Sequence, residues 1–256
     1  MKPQGNTILI TGGGSGIGAA LAQRLHDAGN TVIVAGRRVE ALEHAIAGRS
    51  GMHAIGLDID SGQGVADFAR AVLAAYPALN VVINNAGIMR FESLDTQRDL
   101  ADAEATITTN LLGPIRLIDA LIDHLVASDN AAIINVTSGL AFVPLTVTPT
   151  YNATKAAMHS YTVALREVLK GRVEVIEIVP PAVQTGLTPG QESRPGYQPL
   201  NEFADEVLAL LTVQPTPAEV LVERVKFLRD AEAEHRFDAT VAQLNAFAAQ
   251  ARAAEG

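Results

Sequence analysis

The stretch Thr7-Ile8-Leu9-Ile10-Thr11-Gly12-Gly13-Gly14-Ser15-Gly16-Ile17-Gly18 decides the fold. A short apolar run with β-branched residues gives way at once to a glycine cluster, and a helix-period pattern opens at Gly16 and runs to residue 28. Strand, glycine turn and helix in that order bring backbone N–H groups and the positive helix end against one point, an arrangement suited to a pyrophosphate. Side chains at these positions would block the approach. A tight strand-to-helix turn without a ligand would also favour glycine. The spacing Gly12-x-x-x-Gly16-x-Gly18 differs from the commoner dinucleotide fingerprint.

Outward from this turn, strand-like runs at 8–10, 31–35, 53–57, 81–83, 132–136 and 173–179 alternate with helical patterns at 16–28, 39–47, 62–75, 100–126 and 151–169. Apolar strands alternating with helices predict a doubly wound parallel α/β sheet of Rossmann type, with helices on both faces. No linker or repeat divides the chain, so residues 1–256 are expected to form one domain. Residues 186–199 are rich in Gly, Pro, Ser and Thr without periodicity, and read as a mobile loop over a site. Residues 201–211 and 238–249 are helical. Residues 219–222 are expected to add a short seventh strand.

Composition narrows the function. A chain of 256 residues, 48% hydrophobic and 18% charged, can bury about 70% of its unfolded surface without staples. Its net charge of −9 gives no basic footprint for nucleic acid or an anionic membrane. With no cysteine, disulfides, thiolate nucleophiles and cysteine metal sites are excluded, in keeping with a reducing compartment. The apolar runs are too short for a signal peptide or a membrane span, so a soluble, cytoplasmic protein is expected. The histidines at 26, 44, 53, 124, 159 and 235 lack metal-ligand spacing, and no metal site is expected. His159 reads as packing or surface.

Further polar groups fall where open α/β sheets bind ligands, past the carboxyl ends of strands. Asp58-Ile59 follows the third strand, Asn84-Asn85-Ala86-Gly87 the fourth, and Thr137-Ser138 the fifth. Each could be simple turn chemistry. Tyr151 and Lys155, four residues apart, share one helix face, so the ammonium can lie near the phenol. A free tyrosine has a pKa near 10, and nearby positive charge is expected to lower it. Asn110 stands inside a helical pattern, where Asn is an indifferent helix former.

Taken in order, these motifs resemble the short-chain dehydrogenase/reductase family over about residues 6–185. The resemblance implies a catalytic tetrad of Asn110, Ser138, Tyr151 and Lys155, with 13 residues from Ser138 to Tyr151. It places Gly12, Gly14, Ser15, Gly16, Ile17 and Gly18 at the cofactor, Asp58 and Ile59 beside the adenine, and Asn85, Ala86 and Gly87 along the cleft. Asn110 would distort its helix and hold a water in a proton relay. The chain departs from the family at Pro180-Pro181, where relatives often carry Pro-Gly; Pro181 offers no N–H. Val183 and Thr185 still match positions that contact the carboxamide.

The expected activity is hydride transfer between a ketone and a secondary alcohol, with NADP(H) as cofactor. Where an NAD-selective chain carries Asp or Glu, this one has Gly36, followed by Arg37 and Arg38 suited to a 2′-phosphate; Arg37 is expected to carry most of the selection. Leu140, Phe142, Val143, Leu145, Met89 and Phe91 suggest an apolar pocket and a hydrophobic small-molecule substrate. Two alternatives are a reductase of carrier-bound 3-oxoacyl chains, docking through Arg116 and Arg166, and a non-catalytic NADP(H)-binding regulator. Surplus apolar residues around 111–125 and 151–169 suggest a homodimer or homotetramer.

Overall fold

The computed structural model describes residues 1–253, and side chains through residue 250. Seven strands, β1 (Thr7–Thr11), β2 (Thr31–Gly36), β3 (Met52–Gly56), β4 (Leu79–Asn84), β5 (Ala132–Val136), β6 (Glu174–Val179) and β7 (Glu219–Leu221), form one parallel sheet. Their order is β3-β2-β1-β4-β5-β6-β7. The expected seventh strand is present.

Strand alternation builds a core on each face. Ile8, Ile10, Val34, Ile83 and Ile134 pack against Leu21 and Leu25 of α1 (Gly16–Asp27) and Phe203 and Val207 of α7 (Leu200–Thr212). Leu9, Ile33, Val82 and Ile133 face the other way, onto Phe68 and Val72 of α3 (Gly62–Ala75) and Leu117 and Leu121 of α5 (Gly113–Ala127). Because both faces are covered, the strands read as continuous apolar runs. The remaining helices are α2 (Val39–Ile46), α4 (Ala101–Ile107), α6 (Pro149–Val168), α8 (Lys226–Arg229) and α9 (Phe237–Ala253). Among the described residues, no helix is long and apolar enough to cross a membrane.

One expectation is corrected. The single helix expected over 100–126 is broken: α4 ends at Ile107, a π-helical turn occupies Thr108–Leu112, and α5 begins at Gly113. The cause lies in Pro114, which has no N–H for the carbonyl four residues back, that of Asn110, and whose ring clashes with it. Segment 186–199 is irregular apart from a short 3₁₀ turn at Gln191–Ser193, and it carries internal ties. Val183 and Gln198 form a bridge, Gln191 Nε2 donates to the Val183 carbonyl at 2.8 Å, and the Thr188 hydroxyl donates to Gln191 Oε1 at 2.8 Å.

The strand order reverses between β1 and β4, which opens a crevice at their carboxyl ends. Gly12 has φ +67°, and a Cβ there would come within 2.9 Å of the Ala86 Cα. Gly18 is still more confined, because its Cβ would stand 2.4 Å from the Gly12 carbonyl oxygen and 2.5 Å from Asn85 Nδ2. Backbone on one side and a bonded amide on the other leave little room to yield. Gly18→Ala is therefore expected to cost about 1–3 kcal/mol, read as a lower urea midpoint; an unchanged midpoint would contradict this packing.

Candidate active site

A cleft of about 500 Å³ lies along the carboxyl edge of the sheet. At one end are the glycine turn and Arg37 and Arg38; at the other are Ser138, Tyr151 and Lys155. Among the residues expected from sequence, Gly12, Ser15, Gly16, Ile17, Ile59, Asn85, Ala86, Gly87, Pro181, Val183 and Thr185 also line it. Gly14, Gly18, Asp58 and Asn110 stand outside its lining. Gly14 lets the turn approach α2, since its Cβ would lie 3.2 Å from the Ala41 carbonyl carbon. Asp58 is exposed, and its Oδ1 accepts from the Asp60 N–H at 3.2 Å.

The glycine turn is held to the fourth strand through Thr11, whose hydroxyl oxygen accepts from the N–H groups of Asn85 and Ala86 at 3.0 and 3.1 Å. Ser15 precedes α1 without capping it through its side chain, and the first turn of α1 carries no acid. The helix start thus keeps donors and positive potential for an anion. Arg38 Nη2 donates to Ser15 Oγ at 3.2 Å, whereas Arg37 Nη1 pairs with Asp60 Oδ2 at 3.4 Å. Arg38 is thereby tied to the glycine turn, a contact that the expectation favouring Arg37 did not include.

At the other end, α6 begins at Pro149, so Tyr151 lies in its first turn, two residues inside the start. Both Tyr151 and Lys155 are buried. Lys155 Nζ donates to the Val136 carbonyl at 2.8 Å and sits 5.5 Å from the centre of the Tyr151 ring. Ser138 Oγ accepts from the Leu140 N–H at 3.1 Å, opening a short 3₁₀ turn. Burial pushes the Tyr151 phenol up to about 12, with a hydrogen bond from Ser138 pulling the other way. Burial likewise lowers Lys155 to about 8, opposed by the charge of Glu177. For the tyrosine without a nicotinamide beside it, taking the phenolate out of water outweighs the hydrogen bond from Ser138.

Asn110 is buried in the π-helical turn, not on a solvent face. Its Oδ1 accepts from the Ile88 N–H at 2.8 Å, and its Nδ2 donates to the Ile88 carbonyl at 2.8 Å. The side chain thus clamps the segment after Gly87. The expected helix distortion is there, and Pro114 is the signal that marks it in the sequence.

The apolar pocket differs from expectation. Val143 belongs to a small core with Leu228 and Ala231, and Phe142 packs edge-on against His159 at 4.8 Å. Phe91 is exposed. Leu140 and Leu145 instead line a second groove with Leu94 and Val147, beside the start of α6. Asn245 of α9 holds this region, accepting from the Thr146 N–H at 2.7 Å and donating to the Pro144 carbonyl at 3.1 Å.

One residue missed in the sequence is Glu177, fully buried in β6. An acid inside the apolar run Val175-Ile176-Glu177-Ile178-Val179 is the signal that could have found it. Ligand atoms of His159, Glu177 and Glu219 lie within 4.8 Å of one another, a grouping that the spacing of the histidines concealed. Their groups are already engaged: Arg229 Nε and Nη2 donate to Glu219 at 2.6 and 3.0 Å, and His159 Nδ1 meets Glu177 Oε2 at 2.8 Å. The grouping is a charge network.

The chain matches the short chain dehydrogenase family over residues 6–195. It is 40% identical over 237 residues to DltE, an uncharacterized oxidoreductase of Bacillus subtilis (strain 168), covering 90% of this chain and 93% of the relative. Among solved structures, a short chain dehydrogenase from Burkholderia cenocepacia J2315 in complex with NADP superposes with a TM-score of 0.80 at 27% identity, covering 95% of this chain and 99% of that one. An alcohol dehydrogenase from Thermococcus sibiricus complexed with 5-hydroxy-NADP gives 0.76 at 26% identity, covering 85% and 95%. The chain belongs to the short-chain dehydrogenase family, and it is an oxidoreductase of that family.

The two buried groups leave opposite marks on stability. Folded, Lys155 loses its proton near pH 8 rather than 10.5, so between these values the unfolded chain binds more protons and stability rises with pH. Tyr151 keeps its proton to about 12 rather than 10, so above pH 10 the folded chain binds more and stability falls. The unfolding free energy of the native chain relative to Lys155→Met should therefore climb between pH 8 and 10. Urea titrations across that range provide the measurement, and a flat difference would contradict the burial of Lys155.

Proposed function

We propose that the protein is an NADP(H)-dependent carbonyl reductase or alcohol dehydrogenase, interconverting a ketone and a secondary alcohol. The observation that carries this reading is the buried, neutral Tyr151, placed with Ser138 and Lys155 in the same cleft as the glycine turn. A phenol that holds its proton at neutral pH is suited to giving that proton to a carbonyl oxygen as it becomes an alkoxide.

The residues present fit a dinucleotide. The glycine turn and the uncapped start of α1 suit a pyrophosphate. A Cβ at Gly36 would meet nothing nearer than Leu42 at 3.7 Å, leaving room beside Arg37 and Arg38 for a 2′-phosphate. The NADP-type ligands of the two solved relatives support the same choice. When bound, the nicotinamide supplies or accepts the hydride.

In this reading Tyr151 gives or takes the proton of the reacting oxygen and Ser138 orients that oxygen. Lys155 would hold the nicotinamide ribose and bias Tyr151. Asn110, with its side chain committed to Ile88, contributes its main-chain carbonyl to a water relay. Val183 and Thr185 would contact the carboxamide and Ile59 the adenine, whereas Asp58 stands outside the cleft lining and is placed beside the adenine by the family resemblance alone. The substrate is a small hydrophobic ketone or alcohol, favoured by Ile88 and Leu187 in the cleft and by the apolar groove beside it. Exposed Ile107, Leu112 and Val163 supply a face for a homodimer or homotetramer. A carrier-docking patch gains nothing from Arg116 and Arg166, which are held by backbone carbonyls on different helices.

Absorbance of NADPH over a panel of ketones tests the reading, with steady oxidation expected on hydrophobic ketones in preference to sugars. Tyr151→Phe should keep the fold and cofactor affinity but lose turnover by about 10² to 10⁴; near-full activity in this variant would remove the tyrosine from its role.

Cofactor choice is a separate prediction. One charge-assisted contact is worth about 1.5–3 kcal/mol, roughly 10- to 150-fold in discrimination. Gly36→Asp combined with Arg37→Ala should lose NADPH preference by that order, measured as specificity constants for NADPH and NADH. A native preference for NADH would overturn the choice of NADP(H).

A further inference from the structure

Glu177 and its neighbours form a group that the proposed chemistry leaves unused. In the sheet Glu177 stands opposite Asn135, and the next pair along is Ile178 with Val136. Three successive residues at the end of β5 therefore meet different partners. The Val136 carbonyl accepts from Lys155 Nζ at 2.8 Å. The Thr137 hydroxyl donates to Glu177 Oε1 at 2.6 Å. The third, Ser138, is the serine of the cleft. The other oxygen of Glu177 meets His159 Nδ1 at 2.8 Å. Lys155 and His159 are one turn apart on α6, so helix and sheet hold the carboxylate against the same helix face as the ammonium. A fully buried carboxylate is costly unless it is hydrogen-bonded and charge-compensated; here the contacts with Thr137 and His159 fix its position, and Lys155 acts on it as an opposite charge without a direct ion-pair contact.

We propose that Glu177 is a positioning residue for Lys155: its clamped carboxylate is the counter-charge that keeps the buried lysine an ammonium in the cleft. This rests on the role proposed above for Lys155 in the reaction. Thr137 and His159 hold the carboxylate in place. From β7 and α8, Glu219 and Arg229 complete the surroundings as an ion pair, with Arg166 of α6 and Asp230 also acting on them. Tyr151 is the remaining titratable group beside Lys155. Glu219 stands directly beside the inner group, its carboxylate within 4.8 Å of the ligand atoms of His159 and Glu177, and the ring of Phe142 packs on both His159 and the Arg229 guanidinium, 4.8 and 4.6 Å away. Arg229 offsets the charge of Glu219, and the burial that lowers Lys155 is opposed by the charge of Glu177.

The chain has only four lysines, Lys2, Lys155, Lys170 and Lys226, so the cofactor-free protein labelled with [¹³Cε]lysine gives a resolvable NMR titration, with Lys155→Met assigning the signal. In Glu177→Gln, which keeps shape and removes charge, the Lys155 midpoint should fall by about one pH unit or more. Glu177→Asp draws the charge back by one methylene and should give an intermediate midpoint; it decides the matter if Glu177→Gln does not fold. His159→Gln keeps a donor to the carboxylate and should leave the midpoint in place. Coincident midpoints in native and Glu177 variants would overturn the proposal, as would a fall in His159→Gln as large as that in Glu177→Gln. The titration is independent of catalysis, so failure of the proposed activity would show separately, as absence of NADPH oxidation by the native enzyme.

Discussion

The close approach of β1 and β4 at the strand-order reversal is the constraint from which the site follows. Gly12 reaches Ala86 only because it has no side chain, and Gly18 reaches Gly12 for the same reason. Asn85 locks the contact, since its Nδ2 donates to the carbonyls of Thr11 and Gly12 at 3.0 and 3.3 Å. With the first turn fixed against the fourth strand, the start of α1 is aimed along the sheet edge and the crevice stays open. The cleft is thus a product of backbone packing, prepared before any ligand contributes.

Burial does the complementary work at the other end. Lys155 and Tyr151 are removed from water by α6 lying on the sheet, and loss of solvent pushes both groups toward their neutral forms. The end of β5 answers this with a carbonyl for the ammonium, a hydroxyl for the carboxylate and a hydroxyl beside the phenol. Strand alternation sends neighbouring side chains to different partners. One short strand end therefore serves both the cleft and the charge behind it.

Much of this was legible in the chain itself, and for physical reasons. Strands buried on both faces write themselves as apolar runs, and the glycine turn is recognisable because no other residue fits at Gly12 or Gly18. Tyr151 and Lys155 were readable because helix geometry fixes which residues four apart share a face. What escaped depended on contacts between distant parts of the chain. The π-helical turn was hidden inside a continuous helical pattern and was expected at Asn110 only from the family resemblance, although Pro114 marked it. Glu177 was masked by the apolar residues around it, and His159 gained its partner only when α6 met β6. The apolar residues after Ser138 were recognised as a group, but packing divided them: Val143 went to a core, Phe142 to the charge network, and Leu140 and Leu145 to a groove.

Pro114 also has a consequence in time. In an ordinary helix a main-chain carbonyl becomes available to solvent only when its hydrogen bond breaks, so anything that depends on it waits for the helix to breathe. The ring of Pro114 removes the ordinary donor four residues on from Asn110 by covalent structure, so that bond is absent in every conformation the helix visits. A fluctuation is replaced by a fixed exception in the ladder. If Asn110 holds the water proposed above, its carbonyl need not surrender that bond first.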